Sequence, residues 1–195
     1  RGEDDVNNPT LKFARENGME LEFVSRTEYR ILVKTRLIAS LQDRFASERF
    51  FLVPEGGASG LGVRGCAEIL PEIEEDFDVV CCAAGTGTTL AGLAISLKEH
   101  QRLIGFPALK GGDFLKDEAE KLMNDSRLRI PESLNFELQT SYHFGGYAKV
   151  KPELLDFIKN FDVEFSVLLD PVYTGKMMYG IFDLIKANYF KKGST

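Results

Sequence analysis

Apolar runs alternate with amphipathic stretches along this chain, and the alternation predicts strands separated by helices. Asn8-Pro9 opens a short helix over Thr10–Asn17, and Glu20–Val24 reads as a strand. Ile31, Leu32, Leu37 and Leu41 recur at helical spacing across Tyr29–Arg44. Phe50–Val53 reads as a strand, Pro54–Gly60 as a loop and Leu61–Glu75 as a helix. A strand over Asp78–Ala83, a helix over Thr88–His100, a strand over Arg102–Leu109 and a helix over Asp113–Asn124 follow. Phe136–Gln139 is a further strand, and helices over Pro152–Phe161 and Gly175–Lys191 complete the pattern. Strands joined through whole helices argue for βαβ units. The expected class is α/β, with an open, mainly parallel sheet and helices on both faces. Ligands of such sheets bind at the carboxyl ends of strands. Two glycine-rich loops, Glu55–Gly60 and Gly85–Thr89, directly follow strands.

The stretch Val79–Leu97 is the most informative part of this pattern. Its 19 residues carry no charge, close to the length of a membrane span. Three glycines, four Thr or Ser residues and a turn signal at its centre argue instead for strand, turn and helix. Gly85-Thr86-Gly87-Thr88-Thr89 then lies at a helix N-terminus, with small residues, free N–H groups and three hydroxyls. Unpaired N–H groups and the helix dipole favour an anion there, so the ligand expected is phosphorylated.

Composition narrows the field of partners. The 195 residues are 44% hydrophobic and 28% charged, which suits a folded soluble protein rather than a disordered one. Net charge is −6 with no basic stripe, which argues against nucleic acid or an anionic membrane surface. Cys66, Cys81 and Cys82 form no C-x-x-C pair and read as small buried residues in a reducing compartment. His100 reads as a charge complement at a helix C-terminus, and His143 has no metal-ligand partner at suitable spacing. No metal site is expected.

Two nucleotide-binding patterns can be tested against the spacing. Gly60-Leu61-Gly62-Val63-Arg64-Gly65 satisfies G-x-G-x-x-G. Six residues separate it from the preceding strand, however, and the acids of the next strand, Asp76 and Asp78, lie at the wrong end for a dinucleotide. No Gly-Lys-Ser/Thr follows either loop, which excludes a Walker loop. Glu55–Gly60 serves either as a flexible connector or as a place for backbone to approach a flat ligand closely. In Leu169-Asp170-Pro171-Val172-Tyr173-Thr174-Gly175-Lys176, Asp-Pro sets a turn before a helix, with Thr174 as its N-cap.

Val53-Pro54-Glu55-Gly56-Gly57, the Gly-Thr-Gly-Thr-Thr loop, Gly145-Gly146-Tyr147 and above all Leu169–Lys176 resemble the 1-aminocyclopropane-1-carboxylate deaminase / D-cysteine desulfhydrase family. The resemblance runs through essentially the whole chain in the right order. It implies a pyridoxal 5'-phosphate enzyme of fold type II, the tryptophan-synthase-β type, with two α/β domains in the intact protein. Residues 1–50 would be the remainder of the smaller domain and residues 51–195 the large cofactor-binding one. By the same resemblance, Gly85, Thr86, Gly87, Thr88 and Thr89 would cradle the cofactor phosphate. Gly56 and Gly57 would lie beside the pyridine ring, Tyr147 and Tyr173 would line its substrate side, and Thr174 would face the pyridine nitrogen.

That last position separates the branches of the family. The ring-opening branch has glutamate there, and a carboxylate keeps the nitrogen protonated and the ring a strong electron sink. Thr174 is neutral: it can donate a hydrogen bond but cannot stabilise a pyridinium by charge, which favours β-elimination from a D-cysteine-like amino acid. The resemblance also places the Schiff-base lysine and the substrate-carboxylate loop ahead of Arg1-Gly2-Glu3. Neither Lys34, read as a surface-helix residue, nor Lys176, read as a helix-start residue, matches its context. The chain is therefore expected to be the C-terminal two-thirds of a cytoplasmic, homodimeric enzyme, inactive by itself. A non-catalytic relative holding a phosphate-bearing ligand or a partner chain is the alternative.

Overall fold

A parallel sheet organises the larger part of the chain. The computed structural model describes residues 8–31 and 49–195. Within them, helices α1 (Pro9–Glu16), α2 (Arg26–Ile31) and α3 (Gly60–Cys66) precede strand β1 (Val79–Ala84). Helix α4 (Thr88–Ser96), strand β2 (Arg102–Pro107), helix α5 (Leu115–Ser126) and strand β3 (Phe136–Leu138) follow. Helices α6 (Pro152–Phe165) and α7 (Thr174–Lys186) come last. The chain divides into two compact units, Arg1–Leu52 and Val53–Thr195.

In the first unit, local capping sets the helices. Asn8 Oδ1 accepts from the N–H groups of Thr10 (3.0 Å) and Leu11 (3.2 Å), and Pro9 occupies the first helical turn. Ser25 and Glu28 form a capping box: Glu28 N–H donates to Ser25 Oγ at 3.1 Å, and Ser25 N–H to Glu28 Oε2 at 2.7 Å. That box starts α2 at Arg26, three residues ahead of the expected Tyr29; the rest of the expected helix, with Lys34, lies outside the described residues. Residues 20–24 are irregular rather than a strand. Four of the five side chains are exposed, and a strand needs a hydrogen-bonded neighbour to persist.

In the second unit, β1, β2 and β3 lie side by side in that order, all parallel, with Val79 opposite Arg102 and Leu103 opposite Phe136. Successive residues alternate between faces, as the pleat requires. Cys82, Leu103 and Phe136 join Val63 of α3, Leu90 of α4 and Met123 of α5 in one cluster. Cys81, Ile104 and Phe106 join Met177, Ile181 and Leu184 of α7 in another. Helices thus cover both faces, as the α/β pattern predicts. Leu90 and Leu103 are fully buried, each stabilising the fold by about 1.5–3 kcal/mol. A third cluster, Phe144, Leu154, Ile158, Phe161 and Leu169, joins α6 to the segment entering α7.

Several boundaries differ from expectation for identifiable reasons. Residues 50–53 are irregular rather than a strand, with Phe51 72% and Val53 67% exposed. The helix expected over Leu61–Glu75 stops at Cys66 and is followed by a 3-10 turn, Leu70–Glu72, around Pro71. Helix α4 stops at Ser96 because Leu97 turns extended (ψ 141°) and Lys98 N–H bonds to the Gln101 side chain. Helix α6 runs four residues beyond Phe161, until Ser166 turns left-handed (φ 55°). Helix α7 ends at Lys186, short of the expected Lys191.

Candidate cofactor and active site

The turn between β1 and α4 forms the centre of the candidate site. Gly87 adopts φ 90°, a left-handed conformation that glycine reaches without strain, and no side chain caps the helix it opens. The first N–H groups of α4 therefore have no intrahelical acceptor and face outward with the dipole behind them. A cavity of about 200 Å3 lies at this point, lined by residues 83–90, Gly56 and Tyr173.

Neighbouring segments shape the cavity. Thr88 is 5% exposed, and its hydroxyl donates to the Gly56 carbonyl at 3.4 Å, while Thr86 Oγ1 lies 3.3 Å from Thr88 Oγ1. The three hydroxyls thus divide: Thr88 ties down the 55–57 turn, Thr86 leans on Thr88, and Thr89 is exposed. Gly56 has φ 63°, and a Cβ there would meet Thr86 Oγ1 at 2.6 Å. A Cβ on Gly85 would come within 3.3 Å of the Tyr173 ring, so the phenol sits directly over that glycine. Gly57 (φ 64°) belongs to the same turn but does not line the cavity.

Tyr173 and Tyr147 meet edge to face, centroids 5.9 Å apart at 69°, with their hydroxyls 3.5 Å apart. Burial, reinforced by the Tyr147 hydroxyl, pushes the Tyr173 phenol up to about 12. It therefore keeps its proton near neutrality. Tyr147 is 58% exposed and stands on the open side.

Asp170 organises the entry to α7. Its carboxylate accepts from the N–H groups of Val172 (2.8 Å), Tyr173 (2.7 Å) and Thr174 (2.9 Å). It also accepts a hydrogen bond from the Thr174 hydroxyl at 2.6 Å, while Thr174 Oγ1 accepts from Asp170 N–H at 2.9 Å. Burial pushes the Asp170 carboxyl up, but the hydrogen bonds from Thr174, Tyr173 and Val172 outweigh it and hold it below the ordinary value. Two expectations change here. Thr174 is the first residue of α7 rather than its N-cap, because Asp170 supplies the capping oxygens. The single hydroxyl proton of Thr174 is committed to Asp170, so what remains for a ligand is a lone pair, not a donor.

Lys176 is the residue that sequence reading missed. It sits in the first turn of α7 as expected, yet it is 2% exposed. Its Nζ donates to the carbonyls of Ala108 (3.0 Å) and Gly146 (2.9 Å). Burial pulls its pKa below the usual lysine value, against the opposing field of Asp170. A signal was available: Lys176, Gly180 and Leu184 share the buried stripe at a spacing of four. His100 also differs from expectation. It lies beyond the end of α4 and pairs with Asp76 at 3.2 Å. His143 Nδ1 accepts from Gly145 N–H at 2.9 Å. Two of the G-x-G-x-x-G glycines serve packing instead, since a Cβ on Gly60 would lie 2.3 Å from the Asp125 carbonyl and one on Gly62 2.3 Å from that of Gly57, whereas Gly65 faces open space.

An uncapped helix N-terminus, a glycine floor and a phenol above it fit a phosphorylated aromatic ligand. Comparison with known proteins says which. The family described as "Pyridoxal-phosphate dependent enzyme" matches residues 3–195. The chain belongs to that family. A putative 1-aminocyclopropane-1-carboxylate deaminase of Pyrococcus horikoshii is 34% identical over 145 residues, covering 70% of this chain and 44% of that protein. The bifunctional D-cysteine desulfhydrase/1-aminocyclopropane-1-carboxylate deaminase of Arabidopsis thaliana, named as mitochondrial, is 28% identical over 189 residues, 86% of this chain and 45% of that one. A solved structure of an ACC deaminase homologue superimposes with a TM-score of 0.76 at 26% identity, covering 93% of this chain and 58% of that one. The fold is therefore that of fold type II, and the chain spans about half the length of the curated relatives it matches. Among the described residues no helix is long and apolar enough to cross a membrane.

Proposed function

We propose that this chain forms the cofactor-holding part of a pyridoxal-phosphate lyase that eliminates a β-leaving group from a small amino acid. A D-cysteine-like substrate is favoured over ring opening of 1-aminocyclopropane-1-carboxylate. The observation that carries the reading is the uncapped α4 N-terminus opening into a cavity roofed by Tyr173. Backbone N–H groups of residues 86–89 would hold the phosphate, with the hydroxyl of Thr89 exposed beside them. Gly85, Gly56 and Gly57 would leave room for the ring. Tyr147 and Tyr173 would stand at the substrate, Tyr173 holding its proton at neutral pH. When bound, the cofactor supplies an electron sink for charge developing at the substrate α-carbon.

The preference for elimination rests on Thr174. It presents a hydroxyl rather than a carboxylate at the position assigned to the pyridine nitrogen, with the Asp170 charge one hydrogen bond behind. Elimination needs a shorter-lived carbanion than ring opening, because its leaving group departs promptly. A homodimer in the cytoplasm belongs to the same proposal, to be tested by sedimentation and by fractionation.

The experiment is a substrate panel on the product of the whole reading frame, supplied with pyridoxal phosphate. D-cysteine and 3-chloroalanine should yield pyruvate, and 1-aminocyclopropane-1-carboxylate should yield 2-oxobutyrate at least tenfold more slowly, about 1.4 kcal/mol in the barrier. Faster ring opening would reverse the preference. Tight cofactor binding with no turnover of any substrate would favour a phosphate-ligand-binding relative.

A further inference from the structure

The loop carrying Tyr147 is held in an unfavourable conformation. Phe144 (φ 52°), Gly145 (φ 101°), Gly146 (φ 125°) and Ala148 (φ 53°) all lie at positive φ within five residues. Two of the four are not glycine, and residues with a side chain adopt this region only under constraint. Something must hold this turn in place. Phe144, 8% exposed, anchors one side in the α6–α7 cluster. On the other side the Gly146 carbonyl turns inward onto Lys176 Nζ.

We infer that Lys176 is a positioning residue: its buried ammonium clamps the strained 144–148 turn to the end of β2 and so sets Tyr147 against Tyr173 at the cavity. This deepens the function proposed above and rests on it. Three segments converge on one nitrogen: Ala108, just past β2; Gly146, one residue before Tyr147; and α7 itself, three residues after Tyr173. A buried ammonium is costly unless its hydrogen bonds are well made. A methionine would fill the same volume at lower desolvation cost. What the ammonium adds is a pair of directed bonds to two carbonyls from different segments, which an apolar side chain cannot reproduce.

The test compares the wild type with Lys176→Met in the product of the whole reading frame, labelled with 13C-ζ tyrosine. The phenols are titrated by NMR with and without pyridoxal phosphate, below the melting temperature of both proteins. The groups facing Tyr173 are Tyr147, Asp170 and Glu55. With the clamp lost, the Tyr147 resonance should sharpen as its loop loosens, and Tyr173 should titrate below the wild type. Turnover of 3-chloroalanine should fall on the order of tenfold through misplacement of Tyr147. Cofactor affinity should hold within about twofold, because the 85–89 cradle makes no bond to Lys176. A lower melting temperature with unchanged tyrosine titrations would reduce Lys176 to an ordinary core residue and overturn the inference. If Lys176→Met does not fold, Gly146→Ala carries the same test, since φ 125° excludes a side chain and the carbonyl must swing off Nζ. A protein that takes up no cofactor would defeat the proposed function, while the cofactor-free titration would still decide the clamp.

Discussion

One proton on Thr174 decides how that residue can meet a ligand. Its hydroxyl is spent on Asp170, 2.6 Å away, so what it would offer a ligand is an acceptor backed by a carboxylate. Composition alone could not reveal this, because Thr174 and Asp170 are four residues apart and their bond depends on the turn that Pro171 sets. Lys176 was obscured for a related reason. Lysine is rarely fully buried, so its type argued for the surface while its position on the α7 stripe argued for the interior. By contrast, Gly87 was legible, because a glycine between two threonines ahead of an apolar run has few other uses. Thr174→Glu would put a second carboxylate beside Asp170. Elimination from 3-chloroalanine should then drop by tenfold or more, on the order of 1.4 kcal/mol. Steady-state kinetics at a temperature where the variant is folded would check it, and an unchanged rate would remove Thr174 from the specificity argument.

At the level of elements, the βαβ alternation was readable because β1 and most of β2 are apolar on both faces while α5, α6 and α7 are apolar on one. Where a strand failed, at residues 20–24 and 50–53, the apolar run was present but neither segment joins the β1–β3 sheet of the described residues, and pairing is not a local property. Helix ends failed where a cap overrode periodicity. Ser25 and Glu28 moved one start earlier, and Asp170 took over a cap expected of Thr174. The Asp170 cap leads to a measurable consequence. Asp170→Ala should cost about 1–2 kcal/mol of stability in urea melts, the usual loss for an N-terminal cap. It should also disorder Tyr173, whose N–H loses its acceptor. A melt within a few tenths of the wild type would show that the cap is not what fixes the entry to α7.

On the scale of the whole molecule, burial of β1 links stability to alkaline pH. Burial pushes the Cys81 thiol up to about 11 and the Cys82 thiol up to about 12, from an ordinary value of 9.0. Between about 9 and 11 the native state keeps protons that the unfolded chain has lost. Stability is therefore full below 9 and declines as pH rises through that window, by up to about 1.4 kcal/mol per pH unit for each thiol. Urea midpoints at pH 8 and pH 10 should fall less in Cys82→Ala than in the wild type; equal falls would mean the thiols do not carry the effect. The same burial keeps these thiols protonated, while the proposed cofactor site begins just past the strand, at residues 85–89. The resemblance and the physics of the helix N-terminus thus converge on one site from independent directions. The most direct measurement is a fluorescence titration of the protein with pyridoxal phosphate and with pyridoxal, for the wild type and for Gly87→Ala. A phosphate cradle at the α4 N-terminus should bind the phosphorylated compound at least tenfold more tightly, and Gly87→Ala should erase most of that difference, because φ 90° is closed to alanine. Equal affinity for the two compounds, or a preference that survives in Gly87→Ala, would contradict it.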